Sequence, residues 1–432
     1  MRFLYLAVTF LAAASAQTGT WTAPVVLSAG GQGWEAAAAI DGNGSSLALW
    51  DERTSMDHIW SRPKPSAGAW GRVTQVSPGS LGLQTTSVFP AVRMSAAGFA
   101  TAVWTDSDGV WTADRPPDSK WNPPQLLISG ASSPIFVMNS NGDAAVAWTV
   151  GGPTATQSSV FAVLRPSGEA WTSPQTVATG VHIAADHAAI GKSGAAIVTW
   201  ESYTAVCSEG FCSLSNYVLH AARQNAGAAV WVDSGALQGP DDDSHDARVA
   251  LDSAGQAMLV AFSGSGAYVS ATQGASGGAW TAFNTVVDPQ NITIVSDLAS
   301  GLAGNVTMVY ELIGFSTSQA LAVSGSIGGN TWSAPVVLSG SDTNVSQIYF
   351  ALAPSGAAVA VWLESSATPK IHAVVRASAT AAWGDPVAVS QPGSTEMSPE
   401  AAATNSAGAA IVIYSGYNPN SVHTEYGVNY TP

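Results

Sequence analysis

Eight tryptophans recur along the chain at nearly constant spacing, and this period limits the possible folds more than any other feature. Most of them stand before a short run that is rich in valine or contains proline, such as WTAPVVLS and WSAPVVLS. The repeated residues are Trp21, Trp70, Trp121, Trp171, Trp231, Trp280, Trp332 and Trp383. The interval is 49 residues from Trp21 to Trp70 and, at its longest, 60 from Trp171 to Trp231. A period of this length indicates one structural unit copied around a ring or along a stack.

Each repeat has the same internal order of short β-runs. One apolar run ends in a glycine turn, a second ends in an aromatic residue, and a third often ends in arginine before a turn leads to the next repeated tryptophan. Residues 135–148, IFVMNSNGDAAVAW, show the first two runs and their turn. Four antiparallel strands in roughly 45 to 50 residues are typical of a β-propeller blade. The sequence therefore predicts an all-β chain that forms an eight-bladed β-propeller.

The phase of the repeats predicts how the ring closes. Residues 21–28 match the fourth strand of a blade, whereas the final repeat, residues 398–432, supplies three strands. The N-terminal strand can therefore complete the last blade, which removes a free sheet edge. A linear β-solenoid is the alternative architecture, but a solenoid needs no such offset.

The composition agrees with one large all-β domain and narrows the class of partner. Charged residues make up 10 % of the chain, hydrophobic residues 46 %, and the formal net charge is −15. This apolar content excludes an extended disordered chain, and the acidic balance argues against nucleic acid or an anionic membrane as partner. Beyond the N-terminus no apolar run approaches the roughly 20 residues of a membrane helix. We expect a single propeller domain over residues 17–432 that does not span a membrane.

The N-terminus and the two cysteines predict an exported protein. Residues 1–16, MRFLYLAVTFLAAASA, have a charged start, a short apolar core and a small-residue cleavage site, so we expect a signal peptide and a mature chain that begins at Gln17. A buried N-terminal strand is the alternative. Cys207 and Cys212 lie five residues apart, and an oxidising compartment favours a local disulfide between them.

Loop lengths distinguish the two faces of the predicted wheel. With strands named A to D from the centre outward, the A–B turns are short and uniform, whereas the B–C and D–A loops vary in length. Binding residues usually lie on variable loops held by a rigid scaffold, so we place the ligand surface on the B–C/D–A face. The longest B–C loop, residues 201–217, carries both cysteines on that face.

Aromatic residues followed by acids end strand B in several repeats and are the candidate ligand-binding residues. An aromatic ring stacks on the apolar side of a sugar ring, while a carboxylate accepts hydrogen bonds from its hydroxyls. The candidates are Trp50, Asp51, Glu52, Trp104, Asp106, Trp200, Glu201, Tyr310, Glu311, Trp362 and Glu364. The alternative interpretation places the aromatic rings in the core, in phase with the buried face of the strand, and leaves the acids solvated.

An acidic run opens the fifth repeat and is the weak candidate for a metal site. Asp241, Asp242 and Asp243 are followed by His245 and Asp246, and calcium prefers several oxygen ligands. The run lacks the Asp-x-Asp-x-Asp-Gly spacing of a dedicated calcium loop, so a solvated acidic loop is the preferred interpretation and no cofactor is expected. A glycoside hydrolase would need two facing carboxyl groups, and the sequence alone does not identify such a pair.

The repeat pattern resembles that of bacterial secreted propeller proteins and, more loosely, that of the sialidase-like (BNR) repeat proteins and the propeller lectins. The resemblance covers the whole mature chain and implies a propeller with a ligand-binding face. Sialidases carry an Asp-box, S-x-D-x-G-x-T-W, and three arginines that bind the substrate carboxylate. This chain lacks the leading Ser-x-Asp, and its predicted ligand face offers mainly Arg53, Arg93 and Arg248. No catalytic residue is therefore carried over from the resemblance.

Three hypotheses about function follow. The first is an exported, non-enzymatic propeller that binds a carbohydrate or another extracellular ligand. The second is a glycoside hydrolase of the sialidase-like superfamily with a carboxylate pair in the central funnel. The third is a scaffold for protein interactions. Repetition without an outlying repeat rich in catalytic groups favours the first hypothesis.

Overall fold

A computed structural model describes residues 19–28, 32–53, 57–77, 90–151, 157–208, 211–237, 244–287, 292–314, 317–340, 343–417 and 422–432. Within these ranges the chain forms eight antiparallel sheets in a ring and contains no helix. Each sheet is one blade, and its strands A to D follow one another from the centre outward. The prediction of an eight-bladed propeller is confirmed.

The strands occupy equivalent positions in blades 1 to 8. The A strands are Gln32–Ile40, Ala91–Met94, Ser132–Met138, Ile183–Ile190, His245–Leu251, Ile292–Ser300, Val345–Leu352 and Thr395–Thr404. The B strands are Ser46–Arg53, Ala100–Asp106, Ala144–Val150, Ala196–Ser208, Ala257–Phe262, Asn305–Ile313, Ala358–Glu364 and Ala410–Tyr417. The C strands are Asp57–Lys64, Gly109–Arg115, Ser158–Arg165, Phe211–Gln224, Tyr268–Gln273, Ser318–Ser326, Lys370–Arg376 and His423–Thr431. The D strands are Thr74–Gln75, Gln125–Ser129, Gln175–Gly180, Val232–Ala236, Asn284–Val287, the pair Thr331–Trp332 and Val336–Val337, Val387–Ala388, and for blade 8 the pair Thr20–Trp21 and Val25–Val26.

The ring closes through the N-terminal strand, as the phase of the repeats predicts. Trp21 pairs with Tyr430, and Val26 pairs with Tyr426, so the first described residues form strand D of blade 8. Each A strand also contacts the A strands of both neighbouring blades, including blades 8 and 1. The wheel is therefore closed, and the alternative of a linear solenoid is excluded.

The B strands form the most deeply buried layer of each blade because sheets pack against both of their faces. In Ala144–Val150, for example, the first five residues are all buried, so small and branched apolar residues replace the usual alternation. In blades 3, 4, 5, 7 and 8 the aromatic residue near the end of the strand packs against a ring on strand C of its own blade. The ring centroids of Trp148 and Phe161 are 5.6 Å apart, and those of Trp200 and His220 are 5.3 Å apart.

The repeated tryptophans tie neighbouring blades together. Each is half-buried at or just before strand D, and three of the indole N–H groups donate to hydroxyl oxygens of the preceding blade. Trp121 Nε1 donates to Ser61 Oγ at 2.8 Å, and Trp332 Nε1 donates to Ser270 Oγ at 3.0 Å. A tryptophan in this place combines a large apolar contact with one directed hydrogen bond.

The eight A–B turns have one conformation and are linked to one another. Each contains a glycine with positive φ, such as Gly44 at 88° and Gly408 at 85°, where an L-side chain would be strained. Gly42 N donates to the Ala96 carbonyl in the next turn at 3.0 Å, and Ala96 N in turn donates to Ser140 O at 2.9 Å. Hydrogen bonds between turns therefore run along this face from blade to blade.

Blade 4 differs from the others in the length of its hairpin. The sequence predicts a loop over residues 201–217, but strand B continues to Ser208 and strand C begins at Phe211. Cys207 and Cys212 pair across the tip, and the structure confirms the disulfide between them. In the described ranges there is no apolar helix long enough to cross a bilayer.

Candidate functional site

Bulges at the start of strand A direct polar side chains onto the B–C/D–A face. A β-bulge adds an unpaired residue and changes the direction of the side chains around it. In blade 4 the register shifts between Ala185 and His187, which leaves Asp186 as the extra residue. In blade 5 it shifts between His245 and Arg248, and Asp246 has a φ of 52°, which is uncommon for a residue with a side chain. The two bulges lie on either side of the seam between blades 4 and 5.

Three carboxyl groups meet at this seam. One oxygen each from Asp186, Glu201 and Asp246 lies within 4.8 Å of the other two. Glu201 Oε1 accepts a hydrogen bond from the backbone N–H of Asp246 at 2.6 Å, which joins the end of strand B in blade 4 to the bulge of blade 5. Arg248 stands beside the group, with its NH1 atom 3.7 Å from Asp186 Oδ1. We call these four residues the 4/5 acid cluster.

Burial and mutual repulsion raise the pKa values in the 4/5 acid cluster. The pKa of Glu201 is raised to about 8, first by burial and then by the charge of Asp186. The pKa of Asp186 is raised to about 6, again mainly by burial, and the guanidinium of Arg248 opposes this rise. Raised pKa values in neighbouring groups favour one protonated and one ionised carboxyl near neutral pH, with the proton favoured on Glu201. The site therefore offers a hydrogen-bond donor and an acceptor side by side near neutral pH.

A row of aromatic rings borders the 4/5 acid cluster. The ring of His182 stacks on Tyr203, with centroids 6.0 Å apart and an angle of 10° between the planes. Tyr203 contacts Tyr217 at 5.8 Å, and Tyr217 contacts His245 at 5.0 Å. All four residues are half-buried, so part of each remains accessible. Tyr203 and Tyr217 belong to the long hairpin of blade 4. The extra length of this hairpin therefore adds two aromatic rings to the B–C/D–A face.

The 4/5 acid cluster can also supply oxygen ligands to a cation. Ca²⁺ takes six to eight oxygens in flexible geometry. Three carboxylates would provide part of such a shell, and water or ligand hydroxyls would have to complete it. The guanidinium of Arg248 already balances part of the negative charge.

The central cavity is chemically different from the seam. It has a volume of about 440 Å³ and is lined by A strands and A–B turns from all eight blades. Its acidic side chains, among the described residues, are Asp41 and Asp252, and both cap their own turns. His187 lies at its wall, and burial lowers the pKa of this imidazole to about 3. The converging carboxyl groups are thus found at a seam rather than on the axis of the wheel.

The five candidate aromatic residues at the ends of the B strands are all buried. Their exposed fractions are 0 % for Trp50, Trp104 and Trp362, 1 % for Tyr310 and 3 % for Trp200. They belong to the apolar clusters between blades, because neighbouring sheets cover both faces of the B strands. The structure does not bring them to one surface, and their role in binding stays a prediction.

The candidate acids lie in different surroundings, and one of them belongs to the 4/5 acid cluster. Asp51 is buried, and Glu52 accepts a hydrogen bond from the indole of Trp50 at 3.4 Å. Asp106 accepts from the backbone N–H of Asp108 at 2.7 Å within its turn. Burial raises the pKa of Glu311, and Glu364 Oε2 lies 3.5 Å from His372 Nε2. Of the predicted acids, the structure brings Glu201 together with other carboxyl groups.

Sequence analysis missed Asp186 as a site residue and identified Asp246 and Arg248 only in passing. The available signal was a pair of acids near the starts of two successive A strands. The acidic run Asp241, Asp242 and Asp243 lies outside the described residues, so the calcium hypothesis for it stays a prediction.

Comparisons with known proteins agree on the fold. No protein-family model matches the sequence, and no curated protein is significantly similar to it. Among solved structures, a lectin from Burkholderia pseudomallei shares 15 % identity with a TM-score of 0.53, over 83 % of this chain and 100 % of that chain. A polysaccharide lyase bound to a -[GlcA(1-4)Rha3S]- ligand, described as an ulvan lyase, shares 14 % identity with a TM-score of 0.51, over 81 % and 95 %. At such identities the likeness shows a common propeller fold.

Proposed function

We propose that this protein is an exported propeller that binds carbohydrate at the seam between blades 4 and 5. The observation that carries the proposal is the convergence of three carboxyl groups beside a row of aromatic rings on the B–C/D–A face. The lectin and the polysaccharide lyase named above give the proposal independent support, because both are propellers whose descriptions refer to carbohydrate.

The chemistry of the seam suits a sugar ring. Tyr203 and Tyr217 offer apolar faces on which the C–H side of a pyranose can stack. Asp186 accepts hydrogen bonds from sugar hydroxyls, while protonated Glu201 and the guanidinium of Arg248 donate them. A sugar has donors and acceptors on neighbouring carbons, so a mixed set of partners fits it better than a set of acceptors alone.

The test is a binding screen followed by matched variants. The purified protein is applied to an array of immobilised oligosaccharides, and each glycan that binds is titrated by calorimetry. We expect Tyr203→Ala and Glu201→Gln to weaken binding at least tenfold. Glu311→Gln is the matched control, because Glu311 occupies the position of Glu201 in blade 6 and should leave affinity unchanged. Absence of any binding at millimolar glycan, or equal losses in E201Q and E311Q, would contradict the proposal.

Glycoside cleavage at the same seam is the second candidate function. The observation that favours it is the separation of the Asp186 and Glu201 pKa values, because a protonated and an ionised carboxyl side by side can act as acid and base or nucleophile. In that case the protein would release new reducing ends from a bound glycan, and E201Q would abolish release while still binding the substrate. Binding without turnover by the unmodified protein would favour the non-enzymatic function.

Export is part of the proposal and has its own test. The disulfide at the tip of the blade 4 hairpin is typical of proteins from oxidising compartments. We expect the mature protein to begin at Gln17, which intact-mass measurement of material recovered from the medium or periplasm would detect. A mature chain that retains residues 1–16 would argue against a cleaved signal peptide.

A further inference from the structure

The seam between blades 8 and 1 repeats the construction of the 4/5 seam half a turn around the wheel. Asp186 and Glu400 both stand four residues before the end of an A strand, each as the extra residue of a bulge. Asp246 and Glu35 both stand five residues before the end of the next A strand, with φ values of 52° and 48°. Neighbouring aromatic positions correspond as well. They are Tyr203 with Tyr417, Tyr217 with His423, and His245 with Trp34.

The same pairs of aromatic positions are in contact at both seams, with different ring angles. Tyr417 meets His423 edge-on at 5.1 Å, whereas Tyr203 and Tyr217 are tilted by 48°. His423 stacks on Trp34 at 4.0 Å with 7° between the planes, whereas the corresponding pair at the 4/5 seam is tilted by 31°. Glu400 Oε2 accepts from the backbone N–H of Ala36 at 3.0 Å. Asp186, the counterpart of Glu400, likewise accepts from the backbone N–H of Ala247 in blade 5. We call this second group of residues the 8/1 seam.

The 8/1 seam lacks the cation of its counterpart and holds one carboxyl in a different place. Ala37 stands where blade 5 has Arg248, so the guanidinium is missing from that position. Ser415 and Glu425 pair as Glu201 and Leu219 do, so the carboxyl lies on strand C instead of strand B. The 8/1 seam therefore has as many carboxyl groups as the 4/5 acid cluster but no guanidinium beside them.

Glu425 is the observation that points to a ligand. Its exposed fraction is 0 %, and neither carboxyl oxygen has a hydrogen-bond partner among the described residues. The side chain points across the seam towards blade 1, where a Cβ on Gly33 would lie only 2.5 Å from its Cγ. Burial, together with the charge of Glu400, raises its pKa well above the usual range. An unpartnered buried carboxyl is costly unless something else balances it.

Tyr349, on strand A of blade 7, borders the 8/1 seam. It is 41 % exposed, and the carboxylates of Glu400 and Glu35 add to the effect of burial in raising the pKa of its phenol. Glu35 and Trp34 are half-buried. An exposed phenol, an indole and several carboxyl groups together are the chemistry that recognises an organic ammonium ion, through charge and through cation–π attraction.

We propose that the 8/1 seam is a second binding site, selective for a ligand that carries an ammonium group, such as a 2-amino sugar. The ammonium group lies against Glu400 and Glu35 at the mouth, and the carboxyl of Glu425 behind them adds negative charge when the cation is bound. This site goes beyond the proposed function, because it differs from the 4/5 seam in both position and ligand charge.

The test compares three sugars that share one ring. The protein is titrated by calorimetry with D-glucosamine, D-glucose and N-acetyl-D-glucosamine at a pH where the free amine is protonated, and with choline as a permanent cation. We expect glucosamine and choline to bind in the millimolar range and glucosamine to bind at least tenfold more tightly than the two neutral sugars. Equal affinity for glucosamine and glucose would overturn the proposal.

Variants then locate the site. Glu425→Gln and the half-exposed Glu35→Gln should each weaken glucosamine and choline binding at least fivefold, whereas Glu169→Gln, at an exposed position outside both seams, should leave it unchanged. Loss of choline binding in E201Q instead would place the cation at the 4/5 seam and overturn the proposal. Glu35→Gln provides a second variant if E425Q does not fold. Failure of the glycan screen at the 4/5 seam leaves these outcomes unaffected, so the two proposals can fail separately.

Discussion

The two faces of the wheel use the same eight repeats in opposite ways. On the A–B face every turn has the same shape, and backbone groups of successive turns bond to each other, as Leu302 N does to Pro354 O at 2.8 Å. On the B–C/D–A face, bulges and an extended hairpin interrupt the repeat, and two half-buried carboxyl groups lie close to an exposed one. Uniformity on one face gives a rigid frame, and that frame holds strained, repulsive groups on the other.

The largest expected effect comes from breaking the turn face where the ring closes. Asn405 is 5 % exposed, its Nδ2 donates to the Asp41 carbonyl at 2.9 Å, and its Oδ1 accepts from the N–H groups of Ala407 and Ala409. Asn405→Ala leaves these buried groups unpaired, and we expect the free energy of unfolding to fall by about 2 to 3 kcal/mol in urea titrations.

The control for this prediction is another turn on the same face. Asn141 is exposed and donates to the Lys192 carbonyl at 2.9 Å, so Asn141→Ala should cost less than about 1 kcal/mol. Equal losses in the free energy of unfolding from the two variants would show that the hydrogen bonds of Asn405 at the ring closure contribute no more than those of Asn141.

Removal of a repulsive group from the opposite face should have the reverse sign. Glu425→Leu replaces an unpartnered buried carboxyl with the residue that blade 4 has at the same position, Leu219. We expect the free energy of unfolding to rise by about 1 to 2 kcal/mol at pH 7. Leu219→Glu is the mirror control and should destabilise the protein. A loss of stability in E425L would mean that the carboxyl has a stabilising partner in the folded state.

The 4/5 acid cluster should make stability depend on pH. Glu201 binds its proton more tightly in the folded state, so its contribution is complete below pH 4.5 and is lost as pH rises towards its folded pKa of about 8. Asp186 loses its contribution between about pH 4 and pH 6. We expect the fall in the free energy of unfolding from pH 6 to pH 8 to be smaller in Glu201→Gln, by about 1 to 2 kcal/mol.

Guanidinium titrations at the two pH values provide the measurement. Glu169→Gln, at an exposed position, should keep the pH dependence of the unmodified protein. If E201Q has the same dependence as E169Q, Glu201 is ionised in the folded protein and the donor–acceptor pair at the seam does not exist.

The smallest effect should come from the disulfide at the tip of the hairpin. Cys207 and Cys212 close a very short loop that lies beyond the main body of the wheel, so the double variant Cys207→Ala/Cys212→Ala should change the free energy of unfolding by less than about 0.5 kcal/mol. Hydrogen exchange of the hairpin tip, residues 203–208, should instead become faster. A large global loss would show that the hairpin unfolds together with the blades.

The fold was accessible from the sequence because each repeat states the same local order. The repeated tryptophans mark strand D, and glycines mark the A–B turns. The incomplete final repeat predicts that the N-terminal strand completes the last blade, and the pairing of Trp21 with Tyr430 confirms it. These signals are local and occur eight times, so strands that are ambiguous in one repeat can be assigned from the other repeats.

The site was less accessible because it depends on exceptions to the repeat. Alternation assigns side chains to faces only while the register is regular, and the bulge at Asp186 shifts every residue before it. The long hairpin of blade 4 has the composition of a loop, rich in serine and with two cysteines, although it continues the sheet. Glu201 was identified because it lies in a regular part of its strand, whereas Asp186 and Asp246 lie at bulges within theirs.

The pairing of residues 20–26 with the strand His423–Thr431 has a consequence for how the molecule is made. Some four hundred residues must be synthesised before these two strand segments can pair. Until then the other blades can assemble only as an incomplete ring. Such a ring leaves an apolar blade surface uncovered on each side of the gap. The joining of blade 8 therefore needs the longest loop closure of any blade, because the other blades pair strands from within a single repeat.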